Sequence, residues 1–196
     1  TDKAIKFIEQ QGEKPFFLNM WYYTVHTPIM PNKAKLEKYR KKAKAMGLDI
    51  QDKRGKDGIK DHQSMSRSVQ SNESYACMVE SMDENIGRIL ETLKRLKLEQ
   101  DTIVVFLSDN GGLSTGPGPN MPTSNLPLRT GKAWLYEGGI RSPLIIKLPG
   151  KVKAGLRSKE PVVSTDIYPT LLELAGLPLL PQQHVDGVSL KPLLGG

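Results

Sequence analysis

The chain has a single cysteine, Cys77, which excludes an internal disulfide and any multi-cysteine metal site. One thiol does not fix the redox compartment. No apolar run approaches the roughly 20 residues that a membrane-crossing helix needs, and the opening Thr1-Asp2-Lys3-Ala4 lacks both an initiating Met and a signal-peptide pattern. A mature form or an excised piece is expected, with any targeting segment removed and no membrane partner. The basic part of the chain is poor in aromatic residues. Between Lys33 and Asp61 stand 11 Lys or Arg against 5 Asp or Glu, almost all of the net charge of +7, and Tyr39 is the one ring among them. Without rings on which bases can stack, this stretch is not expected to bind nucleic acid. It reads as a solvated, mobile insertion whose field a polyanionic substrate would still feel.

What is present is an α/β pattern of ordinary composition, with 196 residues, 38% hydrophobic and 25% charged, enough for one domain with a normal core. Ala4–Ile8 has helical spacing and stops before Gly12. Phe16–Tyr23 is aromatic and apolar, as a buried strand should be, and runs into the polar loop Thr24-Val25-His26-Thr27-Pro28. Lys33–Lys44 can form a basic helix, while Gly47–Asn72 is a polar loop broken by Gly55 and Gly58, so an insertion is expected at about 33–72. Asp49, Asp52, Asp57 and Asp61 do not keep the spacing of a calcium loop. Tyr75, Met78, Met82, Ile86, Ile89, Leu90 and Leu93 recur at three- and four-residue steps, which predicts an amphipathic helix over Tyr75–Leu98 covering one face of a sheet. Cys77 sits among its core positions and reads as a small buried residue. Ile103–Leu107 and Pro143–Pro149 read as further buried strands. Thr165–Gly176 reads as a capped scaffold helix with Pro in its first turns and Gly at its end.

Chemistry is expected where strands end, because ligands of α/β sheets gather at their carboxyl edges. Asp109 and Asn110 follow the strand Ile103–Leu107 and offer a carboxylate and an amide oxygen, which suits Ca²⁺ or Mg²⁺ but is far fewer ligands than such an ion takes. Asp109-Asn110-Gly111-Gly112 is equally good turn chemistry. His26, in a loop stiffened by Pro28 and Pro31, is either a site residue or simply exposed. Lys132 lies among Gly131, Gly138 and Gly139, where it can offer a point charge to an anion or remain solvated. Gly112-Leu113-Ser114-Thr115-Gly116 satisfies the G-x-S-x-G pattern of a serine hydrolase, with His184 and Asp166 or Asp186 as conceivable partners. Pro117, Pro119 and Pro122 argue against the helix that must follow such a serine.

Taken jointly, these stretches resemble the sulfatase family, of the arylsulfatase and N-acetylgalactosamine-sulfatase type, within the alkaline-phosphatase-like superfamily. The resemblance rests on Tyr22-Tyr23-Thr24-Val25-His26-Thr27-Pro28, the helical run Met78–Gly87, Leu107-Ser108-Asp109-Asn110-Gly111-Gly112, the run Pro127–Pro143 around Lys132, Ser164–Leu171, and Val185–Leu190. It implies a mixed, mainly parallel sheet flanked by helices, truncated here at its N-terminal side. It also implies metal-dependent hydrolysis of aryl or carbohydrate sulfate esters. Asp109 and Asn110 would be ligands of Ca²⁺ (or Mg²⁺), and His26 and Lys132 would contact the sulfate and help the ester oxygen leave.

Two features of that family are missing: the Cys-x-Pro-or-Ala-x-Arg motif whose cysteine becomes the formylglycine nucleophile, and a pair of adjacent aspartates. Cys77-Met78-Val79-Glu80-Ser81 does not fit the motif. The whole of 1–196 is therefore expected to be a partial sulfatase catalytic domain, inactive alone, with a sulfated small molecule or glycan as partner and possible self-association through uncovered sheet edges. The parent would be periplasmic, secreted or lysosomal. A phosphoric or phosphonic ester hydrolase of the same superfamily, a serine esterase using Ser114, and a non-enzymatic binding module are the alternatives.

Overall fold

The computed structural model describes residues 1–48, 60–61, 64–117 and 121–195. In chain order the helices are α1 (Asp2–Gln11), α2 (Lys33–Ala45), α3 (Glu73–Arg95), α4 (Glu137–Ile140), α5 (Ile167–Leu174) and α6 (Lys191–Leu194). The strands are β1 (Lys60–Asp61), β2 (Ser64–Ser66), β3 (Val104–Leu107), β4 (Thr115–Gly116) and β5 (Leu144–Lys147), and a 3-10 turn at Ser164–Asp166 leads into α5. They fall into two units, one built from Thr1–Thr92 and Asn110–Ser142, the other from Leu93–Asp109 and Pro143–Gly196.

In the first unit α1 buries Ala4 and Ile8, one turn apart on one face, and Gly12 ends it at φ 61°. Burial of Ile8 to 1% exposure contributes on the order of 1.5–3 kcal/mol. Phe7 meets Phe16 edge to face, with centroids 6.1 Å apart. The segment Phe16–Tyr23 departs from the buried strand expected of it. Its burial alternates residue by residue, as an extended chain requires, but Phe17, Trp21 and Tyr23 are 75%, 85% and 70% exposed. No ladder partner lies beside it among the described residues; composition selects the extended backbone, whereas a neighbouring strand is what makes a sheet.

The helix α2 starts on the side chain of Asn32, which accepts from the Ala34 N–H at 3.1 Å. Its Lys35 pairs with Glu80 at 3.3 Å and with Glu84, and Lys38 also pairs with Glu80, all on α3. The basic stretch, read as solvated and mobile, is thus tied to α3 over its first half. Asp49, Asp52 and Asp57, and most of the expected loop between Leu48 and Ser64, lie outside the described residues.

The helix α3 matches the periodicity, with Cys77 and Met78 buried; burial pushes the Cys77 thiol up. Beyond it, β1, β2 and β4 form a small antiparallel sheet in the order β1-β2-β4, with Ser66 opposite Thr115. Arg67, nearly buried, donates to the carbonyls of Val69 and Met121 and to Ser71 Oγ at 2.7–2.9 Å, a charge buried with every direction of its fork answered.

In the second unit β3 and β5 pair antiparallel, Val104 opposite Lys147 and Leu107 opposite Leu144. Full burial was expected of β3. Instead it is half-buried and Leu107 is exposed, because β5 is its one neighbour among the described strands. The scaffold helix α5 buries Pro169, Thr170 and Leu174, and Gly176 follows it at φ 72°. Thr170 Oγ1 donates to the Asp166 carbonyl at 2.6 Å and accepts from the Leu190 N–H at 2.8 Å, tying the start of α5 to the start of α6.

Candidate functional site

His26 stands in a turn closed by its own N–H to the Tyr23 carbonyl, 2.9 Å. Its Nδ1 lies 2.8 Å from the Thr27 carbonyl. A carbonyl only accepts, so Nδ1 carries the proton and the Nε2 edge is left to meet other groups. The same carbonyl accepts from the Tyr23 hydroxyl at 3.0 Å, and the Tyr23 ring lies against the imidazole with centroids 5.5 Å apart. Nε2 then meets Lys132 Nζ at 3.0 Å. With Nδ1 protonated, the neutral ring accepts there from the ammonium.

Lys132 is placed by backbones packed too closely for side chains. The Lys132 N–H donates to the Gly112 carbonyl at 3.1 Å, Gly111 N–H to Gly139 at 2.9 Å, and Gly138 N–H to Arg129 at 2.8 Å. A Cβ on Gly131 would collide with the Gly112 carbonyl and Ser114 Oγ, and one on Gly138 with the carbonyls of Thr130 and Arg129. Close approach is thus the reason for glycine at both positions. The loop is strained on either side of the lysine: Thr130 has φ 59° and Ala133 φ 74°. For a β-branched residue such as Thr130 that conformation is an outlier, costing on the order of 1–3 kcal/mol. It is held by its surroundings, since Thr130 is 2% exposed and its carbonyl accepts from Ser114 Oγ at 2.8 Å and Asn125 Nδ2 at 3.0 Å.

Asn125 carries no motif signal, sitting in a Pro-rich loop that reads as irregular. Its Nδ2 lies 2.8 Å from the Gly112 carbonyl, 3.0 Å from that of Thr130, and 3.1 Å from the Gly138 carbonyl and from Ser114 Oγ. Three of these atoms are carbonyl oxygens, which fixes the amide with its nitrogen inward.

Asn110 is half-buried at the point where the chain returns to the first unit, and Asp109 is exposed at the end of the second. Both carry the oxygen donors that a hard cation prefers. Among the described residues no group of three or more His, Cys, Asp or Glu gathers, and Ca²⁺ takes about 6–8 oxygens. The donor set fits such an ion in kind but supplies only part of its shell.

The serine-hydrolase reading loses its nucleophile. Ser114 is 1% exposed and its hydroxyl proton goes to the Thr130 carbonyl, so its oxygen is neither accessible to an ester nor held by a base. The imagined partners are scaffold: Asp166 is buried and accepts from the N–H groups of Val163 and Val188, both at 2.9 Å, and His184 Nε2 accepts from Leu180 N–H at 3.1 Å.

The sulfatase family model matches residues 1–177. Human steryl-sulfatase is 34% identical over 199 aligned residues, covering 100% of this chain and 29% of its own length. Ps i-CgsB in complex with k-i-k-neocarrahexaose superposes with a TM-score of 0.73 at 32% identity, over 97% of this chain and 36% of that one. Phosphonate monoester hydrolase from Silicibacter pomeroyi matches less of the chain, 63%, covering 22% of its own, with a TM-score of 0.51 at 31% identity. The chain thus spans about a third of the length of these relatives and shares the alkaline-phosphatase-like fold, in mixed helix and strand, of the solved sulfatases. Sulfatases are in general metal-dependent and carry a formylglycine, and no helix among the described residues is long and apolar enough to cross a membrane. On the match over 1–177, this chain belongs to the sulfatase family.

Proposed function

We propose that this chain is the part of a sulfuric ester hydrolase that binds the sulfate and assists the leaving group, and that it supplies two ligands of the metal. The observation that carries the reading is the 3.0 Å approach of Lys132 Nζ to His26 Nε2, side chains 106 positions apart joined in a family match. An ammonium here neutralises non-bridging oxygens as charge builds on the sulfuryl group. With Nδ1 committed to the Thr27 carbonyl, His26 has Nε2 as its one outward position. When protonated there it donates to the departing ester oxygen. Asp109 and Asn110 would hold Ca²⁺ (or Mg²⁺), whose chemistry is to polarise the sulfate oxygens. No formylglycine precursor motif occurs in these 196 residues, so the nucleophile must come from elsewhere and the chain alone is inert. The substrate is an aryl or carbohydrate sulfate ester; the k-i-k-neocarrahexaose bound to Ps i-CgsB favours the carbohydrate ester. The setting proposed is periplasmic, secreted or lysosomal, as is typical of sulfatases.

The likeness to a phosphonate monoester hydrolase favours a second reading, phosphonic or phosphoric ester hydrolysis. Turnover of 4-nitrophenyl sulfate and of a 4-nitrophenyl phosphonate by the full-length protein separates the two. Sulfate hydrolysis that falls about 10²–10³-fold in kcat in Lys132→Ala is expected, the size usual for removing one oxyanion donor. Preference for the phosphonate would overturn the sulfatase reading.

A further inference from the structure

We infer that Asn125 is a positioning residue for Lys132: its amide clamps the strained loop that presents the ammonium and locks it to the segment after Asn110. The inference rests on the role proposed above for Lys132. An amide nitrogen has two protons, yet four oxygens from three chain segments lie within 3.1 Å of Asn125 Nδ2: Gly112 O, Ser114 Oγ, Thr130 O and Gly138 O. Gly112 is two residues beyond Asn110, Thr130 is two before Lys132, and Gly138 closes the far side of the lysine loop. Carbonyl oxygens repel one another when crowded, and the two protons of one inward-facing NH₂, shared among them, offset that repulsion at a single point. The opposite face of the amide is equally confined, since a Cβ on Gly112 would lie 2.9 Å from Asn125 Oδ1.

The clamp matters because Thr130 and Ala133 hold left-handed backbones at φ 59° and 74°. Left alone, both residues relax to negative φ, and Lys132 between them is re-aimed away from His26 Nε2. Ser114 Oγ shares the task at Thr130, whereas Asn125 spans all three segments. Asn125 touches no reacting atom; it acts through the lysine.

A double-mutant cycle in the full-length protein tests this, with 4-nitrophenyl sulfate as the probe and thermal unfolding recorded for each variant. Asn125→Ala is expected to lower kcat at least tenfold with KM changed less than threefold, measured well below its Tm. In the Lys132→Ala background, Asn125→Ala is expected to cost less than twofold more, because the lysine it aims is gone. A full tenfold loss in both backgrounds overturns the inference, as does a silent Asn125→Ala. Where Asn125→Ala does not fold, Asn125→Ser, which keeps one donor, takes its place, and failure of both to fold overturns the positioning role in favour of scaffold alone. A silent Lys132→Ala is a different failure, that of the functional reading itself.

Discussion

At the scale of single residues, the division of labour proposed for His26 and Lys132 makes a prediction that simple loss of activity does not. A general acid matters in proportion to how badly the leaving group needs a proton. His26→Ala in the full-length protein is therefore expected to cost about 10²–10⁴-fold for an alkyl or sugar sulfate and far less for 4-nitrophenyl sulfate, whose phenolate leaves unaided. Equal losses on both substrates, measured as kcat/KM, would contradict proton donation. The sequence singles out His26 and Lys132 by punctuation, Pro28 and Pro31 for one and Gly131, Gly138 and Gly139 for the other, and the structure brings the two side chains to 3.0 Å; the roles assigned to them rest on the resemblance. Asn125 was not legible: its meaning comes from oxygens of three segments that only the fold brings together. Ser114 matches G-x-S-x-G, which reports local spacing only; the prolines after it already argued against an elbow, and its burial keeps the hydroxyl from an ester.

At the scale of elements, α3 and α5 followed from periodicity and capping, which are local properties of the chain. Strand burial did not, because it depends on neighbours: among the described residues β3 has one, β5, and Phe16–Tyr23 has none. The placement of α2 was also hidden, since its lysines look solvated until Glu80 and Glu84 appear one turn apart on α3. The hydrogen bond from Lys38, then that from Lys35, holds the Glu80 carboxyl below the usual glutamate range. A depressed carboxylate stabilises the folded arrangement above its unfolded value and ceases to do so as pH falls through the folded one. Amide protection factors of α2 are thus expected to be steady at neutral pH and to drop below the ordinary glutamate range, and to drop at neutral pH in 1 M salt, with the α3 core around Cys77 unaffected. Protection in α2 that ignores both acid and salt would contradict docking by ion pairs.

At the scale of the whole molecule, several large apolar side chains stand exposed. Leu135, Trp21 and Val185 are the most exposed of them, at 91%, 85% and 77%. Self-association of the isolated chain is expected from them, seen as a mass by light scattering that grows with concentration; a monomer at all concentrations would contradict it. The central proposal concerns the complete protein: Asp109 and Asn110 would hold the cation, and Lys132 would meet the sulfate. Its most direct measurement is the initial rate of 4-nitrophenyl sulfate hydrolysis by full-length protein and by Asn110→Ala, each titrated with Ca²⁺ from a chelated start. The account predicts no turnover without the cation, full turnover on its return to the native protein, and for Asn110→Ala a calcium requirement raised at least tenfold. Turnover by the native protein that survives chelation, or an Asn110→Ala titration that overlays the native one, would contradict it.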